Sequence, residues 1–325
     1  MLEQRLGRVD VMLTIDAARV HSLADYPGLV KALREMNRGG VDQAERFYLN
    51  QKLAAGSNDW LLLPAWWHDR IFGVKLVSVF PGNAAKGLET VQGSYMLFDG
   101  KSGLPLAYLD GAALTLRKTA ANSALAADFL ARPDAETLTV LGAGALAPYL
   151  AAAHAAVRPI RRIFWWNRTM AKAEAAASQC RLPGIEIIVS EDLERAIGVA
   201  DIVTCATRST EPVVQGSWLK TGAHLDLVGG YLPTMREADD NALQRADRHY
   251  VDSRLTTLDV AGDVCQPVAA GLLRPDDIID LGQVARGEKP ARMSPDEVTW
   301  FKSGGGGHED LAVADYITRK ASAAQ

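Results

Sequence analysis

Gly142-x-Gly144-x-x-Ala147 closes the apolar run Thr137–Leu141 and opens an alanine-rich segment. Strand, small-residue turn, then helix is the order in which a main chain receives a pyrophosphate. Gly142 permits the sharp reversal. Gly144 has no Cβ, so an anion can approach the backbone. Ala147 lets helix and strand pack closely. The N–H groups of the opening turn, those of Ala145 and Leu146 included, then face the anion. An alanine-rich helix that merely follows a glycine turn is the plain alternative. The next strand, Arg161–Trp166, ends at Asn167-Arg168-Thr169, where such folds place the residue that reads the ribose. A carboxylate there would accept from a 2′-hydroxyl and repel a 2′-phosphate. Asn167, Arg168 and Thr169 supply donors and positive charge instead, with Lys172 close by on the same helix. This favours NADPH over NADH. The alternative for Arg168 is a solvated residue opening the helix Met170–Gln179.

Upstream, Lys75 sits inside an apolar strand run, Ile71–Phe80. A buried lysine is costly unless an anion pairs with it, and an exposed edge lysine is the other reading. Arg117 and Lys118 begin a turn of helix that is otherwise small and apolar; an ordinary surface pair is the alternative. An arginine's planar fork suits a carboxylate. His308, in Gly-Gly-His-Glu-Asp, could move a proton or could simply cap the last helix.

These residues need elements to hold them. Residues 1 to about 118 read as one α/β unit. Its parts are a strand at Val9–Ile15, a helix at Pro27–Met36, and strands at Trp60–Trp67 and Ile71–Phe80. A turn follows at Pro81-Gly82-Asn83, then a hairpin whose arms, Tyr95–Phe98 and Leu104–Leu109, flank Asp99–Gly103. A long helix, Ala112–Ala131, stops at Arg132-Pro133. From Thr137 the pattern alternates strand and helix, with later strands at Ile185–Val189, Ile202–Thr204 and His224–Val228 and a short helix at Asp192–Ile197. That alternation predicts a doubly wound parallel sheet. Ligands of such sheets lie beyond the carboxyl ends of strands, which points to Thr204, Ala206, Val228 and Gly230. The run Gly304–Gly307 is either a loose linker or a close-packed loop before a helix at Glu309–Lys320.

At 325 residues, two domains are expected. A hydrophobic share of 48% and a net charge of −4 suit a soluble protein with no electrostatic reason to bind nucleic acid. No apolar run approaches a membrane span, and Met1–Arg5 opens no signal-peptide core. Cys180, Cys205 and Cys265 form no CxxC and read as reduced thiols, so a cytoplasmic location is expected. The six histidines show no metal-ligand spacing, and no metal is expected.

Lys75–Asn83, Leu97–Asp99, Leu109–Gly111, Arg117–Ala121, Gly142–Ala147, Asn167–Thr169, Gly229–Glu237 and Phe301–Leu311, in that order, resemble the ornithine cyclodeaminase/mu-crystallin family. The resemblance implies a Rossmann domain at 119–312 and a smaller α/β dimerisation and substrate domain at 1–118 with 313–325. It implies a homodimer, a nicotinamide cofactor and a substrate held between the domains. It places Arg117, with Arg46 as a second clamp, on a substrate carboxylate, and Lys75 at the reacting centre. Thr119, Arg117 and His308 are implied near the cofactor. In ornithine cyclodeaminases the stretch after His224–Val228 reads Gly-Gly-Asp-x-Pro, with the aspartate on the ornithine amine. Here Tyr231 stands in that place, and a phenol of pKa about 10 is no carboxylate at neutral pH. The chain is more similar to the NADPH-dependent ketimine reductases, which reduce Δ1-pyrroline-2-carboxylate or Δ1-piperideine-2-carboxylate to L-proline or L-pipecolate. Alternatives within the family are an alanine-type dehydrogenase, a cyclodeaminase and a non-catalytic NADPH-binding protein.

Overall fold

The computed structural model describes residues 12–43, 46–53 and 56–324. The expected strand at Val9–Ile15 therefore lies partly outside the described residues, as does the N-terminal segment. Contacts divide the chain into two compact units. The first holds the chain up to Ala32, then Gly40–Lys118, then the chain from Gly306; the second holds Leu33–Gly39 and Thr119–Gly305.

In the first unit the described strands are β1 (Leu13–Ile15), β2 (Val41–Gln43), β3 (Phe47–Lys52), β4 (Ser57–Trp67), β5 (Ile71–Val79), β6 (Val91–Asp99) and β7 (Pro105–Asp110). They form one sheet in the order β1-β7-β6-β5-β4-β2, with β3 also on β4. Only β1 and β7 run parallel. The β4–β5 turn is tight enough to hold Asp69 at φ 54°. The β6–β7 turn is tied by Asp99, whose carboxylate accepts from the Ser102 amide and hydroxyl at 2.7 and 2.6 Å. Along β5 the alternation buries Ile71, Gly73 and Lys75 on one face. The last helix, Gly307–Ala323, packs on β4 and β5. It joins this unit from its first turn, ahead of residue 313, because that turn carries the carboxylates that meet Lys75 and Lys118.

The second unit follows β8 (Thr137–Leu141), β9 (Arg162–Trp166), β10 (Glu186–Val189), β11 (Ile202–Cys205), β12 (His224–Leu227), β13 (Arg248–Val251), β14 (Ile278–Asp280) and β15 (Thr299–Lys302). All run parallel, in the order β10-β9-β8-β11-β12-β15-β13-β14. This is a doubly wound α/β sheet. The chain first winds outward from β8 to β10, then returns to β11 on β8's other side. The switch point is thus between β8 and β11. Leu138, Val140, Ile163 and Trp165 form a core with alanines of the flanking helices on one side. The periodicity of residues 240–300 predicts no strand; β13, β14 and β15 lie there or start there, too short to announce themselves by alternation. The glycine run is not a loose linker. The amides of Gly304 and Gly305 donate to Asp252 Oδ2 at 2.8 and 2.6 Å.

Candidate functional site

A pocket of about 460 Å³ opens at the switch point in the second unit. Gly142, Ala143 and Gly144 form one wall, Trp166 to Arg168 with Lys172 another, and Ala206 to Ser209 with Val213 a third. These are the turns after β8, β9 and β11. Gly142 adopts φ 114°, and a Cβ there would meet the Ala206 carbonyl oxygen at 2.5 Å. Only glycine fits. Gly144 differs: a Cβ there would meet nothing within 4 Å. The protein itself has no need of that opening, whereas a pyrophosphate on the turn does. In the following helix, Ala147–Val157, the Ala147 amide donates to the Gly144 carbonyl and the Tyr149 amide to the Leu146 carbonyl, at 3.0 Å each, and Pro148 has no N–H, so an anion would meet the amides of the turn ahead of the helix. The residues therefore fit a dinucleotide.

Charge around this pocket is one-sided. Arg168, Lys172 and Arg208 line it, and no Asp or Glu does. All three are exposed, and among the described residues none has an acidic partner within ion-pair reach. Asn167 lines the pocket, but its amide donates to the Thr169 carbonyl at 2.9 Å and so shapes the turn. Thr169 is the exposed N-cap of the next helix. The strand expected to end at Thr204 runs one residue further, to Cys205, and the Thr204 hydroxyl points inward and donates to Asp226 Oδ2 at 2.7 Å. Asp226 is also 3.1 Å from His154 Nε2 and accepts from Ser123 at 3.1 Å. Val228 and Gly230 are buried. Ala145 and Leu146 form the turn between Gly144 and the helix.

In the first unit, two lysines are buried with two carboxylates. Lys75 Nζ lies 2.7 Å from Asp310 Oδ2, and Lys118 Nζ donates to Glu309 Oε2 at 2.6 Å. Burial pushes the Lys75 ammonium below the usual lysine range; Asp310 opposes that shift and Lys118 adds to it. Arg117 turns elsewhere, donating from Nε to His21 Nδ1 at 3.2 Å and from a terminal nitrogen to the His21 carbonyl at 3.0 Å. Its guanidinium lies 5.3 Å from the Tyr26 ring centre. Arg46 is half-buried between β2 and β3, beside residues 44–45, which lie outside the described ones. Thr119 is half-buried on the long helix Gly111–Leu130. His308 is in the first turn of the last helix, and its Nδ1 is 2.8 Å from Gln43 Oε1. No motif marks Asp310 or Glu309 as partners. The one signal was Lys75 itself, whose place on a buried face demanded an anion. Arg208, too, has no motif to mark it.

The chain matches the model of the ornithine cyclodeaminase/mu-crystallin family over residues 8–325. It is 43% identical over 259 residues to a Δ1-pyrroline-2-carboxylate reductase of Paracoccus denitrificans, covering 78% of this chain and 81% of that one. Among solved structures it is similar to the Thermococcus litoralis Δ1-pyrroline-2-carboxylate reductase in complex with NADH and L-proline, with TM-score 0.88, 29% identity, and 96% and 98% of the two chains covered. It is also similar to an archaeal alanine dehydrogenase dimer with bound NAD, with TM-score 0.85, 28% identity and 96% and 97% coverage. On the full-length match, the chain belongs to the ornithine cyclodeaminase/mu-crystallin family.

Proposed function

We propose that the protein is an NADPH-dependent reductase of cyclic imino acids, taking Δ1-pyrroline-2-carboxylate, Δ1-piperideine-2-carboxylate or both to L-proline and L-pipecolate. The observation that carries the cofactor half is the acid-free pocket with Arg168, Lys172 and Arg208 around it. A 2′-phosphate supplies the anion those cations lack. The substrate half rests on similarity to Δ1-pyrroline-2-carboxylate reductases and on a buried lysine of lowered pKa.

Reduction of a cyclic ketimine needs hydride at the ring carbon and a proton on nitrogen. The reduced nicotinamide, when bound, supplies the hydride. Lys75 is the proton donor in this reading. Asp310 keeps its ammonium in one place, and burial lowers its pKa towards the range where transfer is efficient. Arg117 and Arg46 bind the ring carboxylate, Arg117 after exchanging its bonds to His21 for the substrate. Gly142, Gly144, Ala145 and Leu146 receive the pyrophosphate. Asn167, Arg168, Thr169 and Lys172 form the ribose end; Thr119, Ala206, Val228, Gly230 and His308 complete the cofactor surroundings, and Thr204 supports them from inside.

The same reading includes a homodimer formed through the first unit. Strand β3 exposes Phe47 and Leu49 on one face, at 54% and 56%, and Tyr48 on the other, at 64%, apolar surface that a second copy would cover. Light scattering of the purified chain tests this, and a monomer at micromolar concentration refutes it. The activity test is NADPH oxidation with each cyclic imino acid, with ornithine plus NAD and pyruvate plus ammonia beside them. Turnover confined to pyruvate would replace the reading with an alanine-type dehydrogenase.

A further inference from the structure

Glu237 is wholly buried and carries no role so far. It lies in the loop after β12, and both its carboxylate oxygens are occupied. Oε1 accepts from the Thr207 amide at 2.7 Å and from the Thr207 hydroxyl at 2.9 Å. Oε2 accepts from the amides of Gly229 and Gly230 at 2.7 and 3.2 Å. Its own carbonyl accepts from Val213 and Val214 at 2.9 Å each. Thr207 and Val213 line the dinucleotide pocket, and Gly229 and Gly230 follow the adjoining strand.

Burial pushes the Glu237 carboxyl above the usual carboxylate range; Lys302 and the donors from Thr207 oppose that shift, and Asp263 adds to it. The negative charge is balanced nearby: Lys302 Nζ lies 3.6 Å from Glu237 Oε2 and 3.3 Å from Asp263 Oδ2. Asp263 in turn fixes Glu237, accepting from its amide at 2.8 Å. The fit is tight on the glycine side, since a Cβ on Gly229 would meet the Thr207 carbonyl oxygen at 1.9 Å. A single side chain therefore sets the spacing between the turn after β11 and the turn after β12.

We propose that Glu237 is a positioning residue for the dinucleotide: it touches no ligand, but it fixes the two turns that shape the pocket beyond β11 and β12. Because it acts on the shared frame of the pocket and not at the ribose end, NADPH and NADH depend on it equally. This deepens the cofactor reading above and rests on it.

The test is direct binding of NADPH and NADH, followed by nicotinamide fluorescence, to the full chain and its variants, with thermal unfolding recorded in parallel. Glu237→Gln puts an amide where two N–H groups need an acceptor. It should raise Kd for both dinucleotides by about tenfold, the effect of leaving one buried donor without its acceptor. Thr207→Val should weaken both in the same direction, and Thr207→Ser should restore them. The double variant Glu237→Gln/Thr207→Val should lose less than the sum of the two single effects, as residues sharing one bond do. Unchanged Kd in a folded Glu237→Gln variant overturns the proposal, as does a loss confined to NADPH. If that variant does not fold, Thr207→Val decides alone, and unchanged binding overturns the proposal. Wild-type chain that binds neither dinucleotide refutes the cofactor reading itself, and this proposal with it.

Discussion

The cations around the dinucleotide pocket and the lysines that meet the last helix are held in opposite ways. Arg168, Lys172 and Arg208 stand exposed around a pocket that no carboxylate lines. Lys75 and Lys118 are buried, each within 2.7 Å of a carboxylate from the last helix. An exposed cation keeps its hydration and can await an anion from outside. A buried one has lost its water, and the chain itself must supply the counter-charge. The first arrangement suits a cofactor that comes and goes. The second suits a proton donor whose place must be constant.

Breaking the buried pair should have the largest effect. Asp310→Ala leaves the Lys75 ammonium buried and unmatched, and should cost about 3–5 kcal/mol in stability by chemical unfolding. Adding Lys75→Met to that variant should return most of the stability and none of the reductase activity. A lone Asp310→Ala variant as stable as wild type would show that Lys75 is not held as described.

Next comes the pH profile. Only protonated Lys75 can donate, so kcat/KM should fall as pH rises through its lowered pKa, below the ordinary lysine value of about 10.4. Asp310 raises that pKa, so Asp310→Asn should move the alkaline limb to lower pH. A limb that stays in place in Asp310→Asn and persists in Lys75→Ala would belong to another group.

The exposed cations should show smaller and more selective effects. Arg168→Ala and Arg208→Ala should each raise Kd for NADPH by about tenfold, leave NADH nearly unchanged and leave the melting temperature alone. Raised salt should weaken NADPH more than NADH for the same reason. Equal losses for both cofactors would remove these residues as readers of a 2′-phosphate. The smallest change is expected from Tyr231→Asp. Tyr231 is 46% exposed, and restoring one carboxylate should not produce measurable ammonia release from ornithine.

Much of the second unit was legible in the sequence because local rules govern it. Gly142 must be glycine for its own φ, and Met170–Gln179 appears with the bounds its sequence implies. The Asn167–Thr169 turn could be placed from strand length alone. What sequence could not give was direction. Thr204 faces Asp226 and not the pocket, and Arg117 lies on His21, because tertiary neighbours decide where a side chain points. Asp310, Glu309 and Glu237 were invisible for a related reason. Asp310 and Glu309 act on lysines from another part of the chain, and Glu237, though it closes the stretch Gly229–Glu237, also reaches Thr207 in a turn that no motif marks.

That distance has a consequence for biosynthesis. Lys118 and Glu309 are 191 positions apart, and Lys75 lies further still from Asp310. At about 5–20 residues per second on the ribosome, Lys118 waits about 10–40 s for its carboxylate to be made. The second unit is encoded almost entirely within that interval and can fold while the first cannot finish. A nascent chain stopped before Gly307 should therefore hold a native parallel sheet in the second unit, while the sheet of the first lacks the helix that packs on it, with both lysines still in water. Loss of the last helix, by a premature stop codon or by a protease, would then undo the first unit from its interior outward.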